Sequence, residues 1–216
     1  MLHLLIFLPD LLPIVFFLLL KNRNKEKELW VVFIYSIVSF MVDGYFFKFN
    51  PPKHIESILF SAFTVAEYTL FAIFFYLCYR SPALKKWVII CSVVFSGSEI
   101  LNLLQANKEK FDTLPASMEA ILIIAFSLLF FYEQLKTPES TFIYSTKKFW
   151  VVLAIFIYLA ATFILFISTL YMSEKERLQF WPINSIANII KNVFLTIAFS
   201  LKPQKNFKTI QNQYNI

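Results

Sequence analysis

The sequence predicts an all-α, polytopic membrane protein with seven transmembrane helices. Of its 216 residues, 58% are hydrophobic and 16% are charged, and the mean hydropathy is +0.64. A soluble domain of this length cannot bury so much apolar surface. The apolar residues fall into seven runs, each close to the roughly 20 helical residues that cross about 30 Å of hydrocarbon. Since backbone groups in lipid need internal partners, we expect every run to be a helix.

Short polar linkers separate the seven runs and leave no room for a soluble domain between them. The runs cover residues 2–20, 29–48, 56–79, 84–105, 113–135, 148–172 and 180–201. The first run does not resemble a cleavable signal peptide, because no basic segment precedes it and "KNRNKEKE" follows it. We therefore expect one transmembrane domain, residues 1–201, and a basic cytoplasmic tail, residues 202–216, that contacts anionic lipid.

The Lys and Arg residues predict the orientation. One set of linkers and the tail carry thirteen: Lys21, Arg23, Lys25, Lys27, Arg80, Lys85, Lys86, Lys136, Lys147, Lys148, Lys202, Lys205 and Lys208. The other set carries six: Lys48, Lys53, Lys108, Lys110, Lys175 and Arg177. Basic linkers stay on the cytoplasmic side, so the N-terminus is expected outside and the C-terminus inside, in a multi-pass protein of the cell inner membrane.

Six ionisable residues lie inside the predicted spans: Asp10, Asp43, Glu67, Glu99, Glu119 and Lys191. All lie in the predicted outer half of the membrane or near its middle, and the inner half is almost free of charge. Asp43, Glu99 and Glu119 are close enough to a span end to reach the headgroups. Lys191 lies about 15 Å from either surface, which is too deep for that. Glu67 and Lys191 therefore predict a buried polar pocket or a structural ion pair.

The seventh run places polar residues on one helical stripe, with spacing i, i+4, i+7 and i+8 from Asn184. A purely structural alternative is that such side chains hold helices together by hydrogen bonds. We predict a ligand site made of Glu67, Lys191, Asn184, Asn188, Asn192, Tyr68, Glu119 and Glu99. Because five of the six intramembrane charges are acidic, the expected ligand is small and either cationic or zwitterionic.

The third and seventh runs align without gaps, as "SAFTVAEYTLFAIFF" (61–75) and "SIANIIKNVFLTIAF" (185–199). This alignment indicates a repeat of three helices, a linker helix and three more, a plan found in transporters. The layout resembles the small sugar and PQ-loop transporters, although none of the seven runs contains a Pro-Gln pair. It is also similar to microbial rhodopsins, which implies a counterion at Glu67 and a retinal Schiff base at Lys191. Ala187 stands where that family has an acidic residue one turn before the lysine.

Composition and motifs exclude several function classes. The basic residues lie between membrane spans, which argues against nucleic-acid binding. The chain has two His and two Cys, with no CxxC, so we expect no metal and no cofactor. No nucleophile elbow or HExxH motif is present, so an enzyme is not expected. Ligand sensing, with a separate cytoplasmic signalling partner, and small-solute or ion transport remain. A packed inner half favours sensing, whereas a water-filled inner path favours transport.

Overall fold

A computed structural model shows an all-helical chain. It describes residues 2–49, 51–105, 113–136, 143–169, 172, 179–180 and 182–202. Within these ranges the seven long helices are α1 Leu2–Leu19, α2 Lys27–Lys48, α3 Lys53–Cys78, α4 Pro82–Gln105, α5 Thr113–Leu135, α6 Lys147–Thr169 and α7 Pro182–Ser200. Short 3₁₀ turns at Lys21–Arg23 and Ile143–Ser145 precede α2 and α6. Six basic residues used to predict orientation, Lys108, Lys110, Lys175, Arg177, Lys205 and Lys208, lie outside the described residues, as does the tail from 203 onward.

The helices agree with the seven predicted apolar runs, and the architecture is that of a helical membrane protein. Within the described residues, five stretches are long and apolar enough to cross a membrane: Lys27–Phe46, His54–Cys78, Pro115–Leu135, Lys147–Ser168 and Pro182–Ser200. A shorter apolar stretch, Leu8–Leu19, lies in α1. That all seven helices span the membrane, and in which direction, stays a prediction.

Prolines mark several helix boundaries. Pro82 and Pro182 occupy the first positions of α4 and α7, where the missing N–H has no helical partner to lose. Pro52 immediately precedes α3. Helix α1 carries Pro9 and Pro13 in its interior, and each removes one backbone hydrogen bond from the helix.

Six helices close into a ring, and the fourth lies outside it. Contacts connect α1 to α2, α2 to α3, α3 to α5, α5 to α6, α6 to α7 and α7 back to α1. Helix α4 packs against α3 and α5. This arrangement is the one expected of two helix triplets joined by a linker helix, although the sequence repeat itself stays a prediction. In the ring, α3 and α7 face each other, so Glu67 and Lys191 enter its interior from opposite sides.

Aromatic residues of α1, α2 and α7 pack together at one end of the bundle. We call this the basic end; here α1, α3, α5 and α7 finish and α2, α4 and α6 begin. Phe17 stacks on Phe33 at 4.2 Å between ring centroids and meets Trp30 and Phe199 edge-on, each at 5.0 Å. Phe17 and Phe199 are completely buried. We call these four residues the aromatic plug; that the basic end is the cytoplasmic half of the protein stays a prediction.

Candidate functional site

The Tyr35 hydroxyl group joins Glu67 to Lys191 inside the helix ring. Lys191 Nζ donates a hydrogen bond to Tyr35 Oη at 2.6 Å, and Tyr35 Oη donates to Glu67 Oε1 at 2.7 Å. All three side chains are at most 5% exposed. The sequence predicted either a buried polar pocket or a structural ion pair at Glu67 and Lys191. Among the described residues the two charges instead meet through a tyrosine from α2, a geometry in which both retain a strong hydrogen bond.

Two tyrosine rings flank the Lys191 ammonium group. Its Nζ atom lies 4.8 Å from the ring centroid of Tyr35 and 4.3 Å from that of Tyr158. Both distances fall within the range in which a ring face attracts a cation, and the attraction grows when water is excluded. Tyr35 and Tyr158 lie on α2 and α6, the middle helices of the two triplets. Contacts to this lysine therefore come from both triplets of the ring.

A second polar group surrounds Asp10 on α1. Its Oδ1 atom accepts hydrogen bonds from Asn188 Nδ2 at 2.9 Å and from Asn192 Nδ2 at 2.5 Å. Asp10 is 1% exposed, and its Oδ2 atom has no hydrogen-bond partner within the described part of the chain. The Asp43 carboxyl group lies close enough to interact with it directly. Asp10 thus connects α1 to the polar face of α7.

A small cavity opens beside this network. Its volume is about 30 Å³, which is room for only one or two water molecules. Glu67 and Glu119 both line it, and so does Asn184 near the start of α7. Aromatic and hydroxyl side chains complete the wall: Phe60, Phe63, Thr64, Tyr158, Thr162 and Phe166. The cavity therefore runs from the end opposite the basic end towards mid-depth, and Lys191 lies behind it.

Of the two acidic residues that line this cavity, Glu119 has fewer neighbouring groups that offset its charge. It is 2% exposed, and its Oε1 atom has no hydrogen-bond partner in the described ranges. The negative charges of Glu67 and Glu99 both act on it. Glu99 is buried on α4, the helix outside the ring. Three carboxyl groups from α3, α4 and α5 thus lie within electrostatic reach, whereas Lys191 is directed at Tyr35.

Three of the eight predicted ligand residues, Glu67, Glu119 and Asn184, line this cavity. Asn188, Lys191 and Asn192 share the buried face of α7. Tyr68 instead faces α4, where its hydroxyl group lies 3.2 Å from Ser92 Oγ and its ring stacks on Phe95 at 4.0 Å. Tyr68 does not line the cavity, although the charge of Glu119, which does, acts on its hydroxyl group. Whether the remaining residues bind a ligand stays a prediction.

Comparison with known proteins places the chain in no family: no family model, curated protein or solved structure matches it. Two residues that contact Lys191, Tyr35 and Tyr158, are absent from the predicted site. Their position in the sequence could have indicated them. Tyrosines of membrane helices usually lie at the interface, whereas these two lie well inside α2 and α6.

Proposed function

We propose that this protein is a membrane sensor for a small cation, which enters from the end opposite the basic end and binds between Glu67 and Glu119. The observation that carries the proposal is the cavity that both carboxyl groups line. Carboxylates beside aromatic faces suit an ammonium-type group, which is attracted by charge and by the rings. The cavity of about 30 Å³ limits the ligand to a few heavy atoms unless the helices move apart.

The charge balance supports a cation over a zwitterion. Five acidic groups, Asp10, Asp43, Glu67, Glu99 and Glu119, accompany Lys191 within the spans. Buried carboxylates without enough positive charge must take up protons or bind a cation. The Lys191 ammonium group already has Tyr35 and two rings as partners. A ligand carboxylate would have to break these contacts, so a simple cation fits the site better.

Sensing leads over transport because the aromatic plug lies between the cavity and the basic end. Phe17 and Phe199 are fully buried there, and interiors packed in this way resist the passage of water or ions. Binding at Glu67 can instead act through Tyr35 on α2 and Lys191 on α7, and so shift helices relative to each other. A transporter remains the second candidate, in which the plug opens during the cycle. The 30 Å³ cavity gives no support to a retinal at Lys191.

Cysteine accessibility tests the cavity and the plug separately. In a background with Cys78→Ala and Cys91→Ala, Asn184→Cys lies on the cavity wall and Thr196→Cys lies near the plug. A membrane-impermeant thiol reagent added outside is expected to label Asn184→Cys, and methylammonium is expected to slow that labelling. Protection should disappear with Glu119→Gln but persist with Glu56→Gln, which alters an exposed acid at the start of α3.

Labelling at Thr196→Cys separates sensing from transport. A sensor keeps this position unreactive from both sides, whereas a transporter exposes it to the cytoplasm at some stage. As a reference for a lipid-facing site, Ile186→Cys replaces a side chain that is 57% exposed on α7. If Asn184→Cys is as inert as Ile186→Cys, the cavity does not open outward and the carboxyl groups form a structural cluster.

A further inference from the structure

A second cavity lies at the basic end of the bundle, on the far side of the aromatic plug from Glu67. Its volume is about 190 Å³, roughly six times that of the first. The turn between α3 and α4, the beginning of α6 and the segments that end α5 and α7 form its walls. Its lining includes four basic side chains and one carboxylate: Arg80, Lys147, Lys148, Lys202 and Glu26.

The acidic side chains near this cavity leave it with a small excess of positive charge. Glu28 forms an ion pair with Lys148. Glu133 accepts backbone hydrogen bonds from Arg80 N at 3.1 Å and Ser81 N at 2.7 Å, and it keeps its negative charge because these N–H groups are neutral. Glu26 is the carboxylate on the cavity wall itself. The four basic side chains of the lining therefore outnumber these three acidic side chains by one.

One of these cations is fixed in place by the fold. Lys147 is 5% exposed, and its Nζ atom donates to the Arg23 carbonyl oxygen at 2.5 Å and to Asn24 Oδ1 at 2.7 Å. Asn24 in turn donates to the Phe199 carbonyl oxygen at 3.2 Å. An ammonium group has three N–H donors, so one remains for a ligand. A buried polar network thus holds a positive charge at the cavity wall before any ligand arrives.

The start of α6 adds further donors for an anion. Ser145, Thr146 and Lys147 all line the cavity, and α6 begins at Lys147. The first turn of a helix presents backbone N–H groups and the positive end of the helix dipole. Arg80 and Lys202, which are exposed, line other parts of the cavity. The guanidinium group of an arginine can bind two phosphate oxygens at once.

We propose that this cavity, the basic cavity, binds a phosphate-bearing group, either the headgroup of an anionic phospholipid or a soluble phosphate. Scattered surface lysines are enough to orient a membrane protein, and they need no cavity. Here a fixed lysine, a helix start and two mobile cations converge on one space. The proposal is independent of cation sensing at Glu67.

Thermal unfolding of the full chain tests this proposal. Protein in an uncharged detergent is titrated with inorganic phosphate, against sodium chloride at equal ionic strength. Protein in phosphatidylglycerol nanodiscs is compared with protein in phosphatidylcholine nanodiscs. A ligand that binds only the folded state raises the unfolding midpoint. We expect Arg80→Gln and Lys202→Gln each to weaken binding about tenfold, since one charge-assisted hydrogen bond is lost.

Matched controls remove exposed lysines from the same end but outside the basic cavity. Lys25→Gln and Lys86→Gln are expected to change binding less than about twofold. Stabilisation by phosphate in detergent identifies a soluble ligand, and stabilisation by phosphatidylglycerol alone identifies a lipid headgroup. The proposal is overturned if neither ligand stabilises the protein beyond its control, or if the control variants lose as much binding as Arg80→Gln. Arg80→Lys keeps the charge and checks that the position tolerates substitution.

Discussion

Replacing Tyr35 with Phe removes one oxygen atom from the centre of the polar network. That atom accepts a hydrogen bond from Lys191 at 2.6 Å and donates one to Glu67 at 2.7 Å. The aromatic ring stays, so the ring contact with the Lys191 ammonium group is retained. The variant therefore isolates the bridging role of the hydroxyl group from the packing role of the ring.

The expected cost is about 2–4 kcal/mol in the free energy of unfolding. Each hydrogen bond to a charged group contributes about 1.5–3 kcal/mol, so two of them set an upper limit of about 3–6 kcal/mol. Part of this is recovered, because a water molecule from the neighbouring cavity of about 30 Å³ can reach Glu67. Hydrogen bonds between membrane helices also contribute less than those in water-soluble proteins.

The assay is reversible unfolding in mixed detergent micelles, followed by tryptophan fluorescence. Tyr45→Phe is the control, because Tyr45 is on the same helix and 38% exposed, and it should change stability by less than about 0.5 kcal/mol. A loss no larger than this control in Tyr35→Phe would refute the bridge.

A double-mutant cycle then tests whether the bridge couples the two charges. Lys191→Met leaves Glu67 buried without its cation and should destabilise the protein, and Glu67→Gln in the same chain should recover much of that loss. We expect the coupling energy to fall when Tyr35→Phe is added, because the hydroxyl group connects the two side chains. Strictly additive losses in the parent chain would mean that Glu67 and Lys191 do not interact.

Three further predictions concern topology and stability. A reporter that is active only in the cytoplasm should be active when fused after Lys208 and inactive when fused within 106–112. Both fusion points lie outside the described residues. The opposite pattern of activity would mean that the predicted orientation is wrong. Gly97→Ala should stabilise α4 by about 0.5–1 kcal/mol, because an added Cβ meets no atom within 4 Å; a loss in thermal stability would contradict this. Asp10→Ala should cost about 1–3 kcal/mol, because two buried amide groups lose their acceptor. Asp10→Asn, which keeps an acceptor, should cost less in the same unfolding assay.

Local sequence determined the helices and the depth of the charges. Backbone hydrogen bonds in a helix join residues four apart, and hydropathy is a property of each run by itself. The predicted bounds of α1 to α7 therefore agree with the observed ones to within three residues. The same holds for the stripe on α7: a spacing of i, i+4 fixes which side chains share a face. Asn188 and Asn192 do lie on one buried face, as this rule requires.

Tertiary packing decided which of these faces meet. Tyr35 and Lys191 are 156 residues apart in sequence, and no local pattern relates α2 to α7. Tyr68 shows the same limit, since only the placement of α4 gives its hydroxyl group Ser92 as a neighbour.

The basic cavity is likewise a product of the fold. In the sequence its lysines predict only the orientation of the protein in the membrane, because counting charges along a chain does not give the distances between side chains. Only the packing of helix ends brings Arg80, Lys147 and Lys202 around one space. The sequence of each helix determines which side chains lie on each of its faces. The packing between helices determines which of these side chains contact each other, because such contacts depend on positions that the chain reaches only after folding.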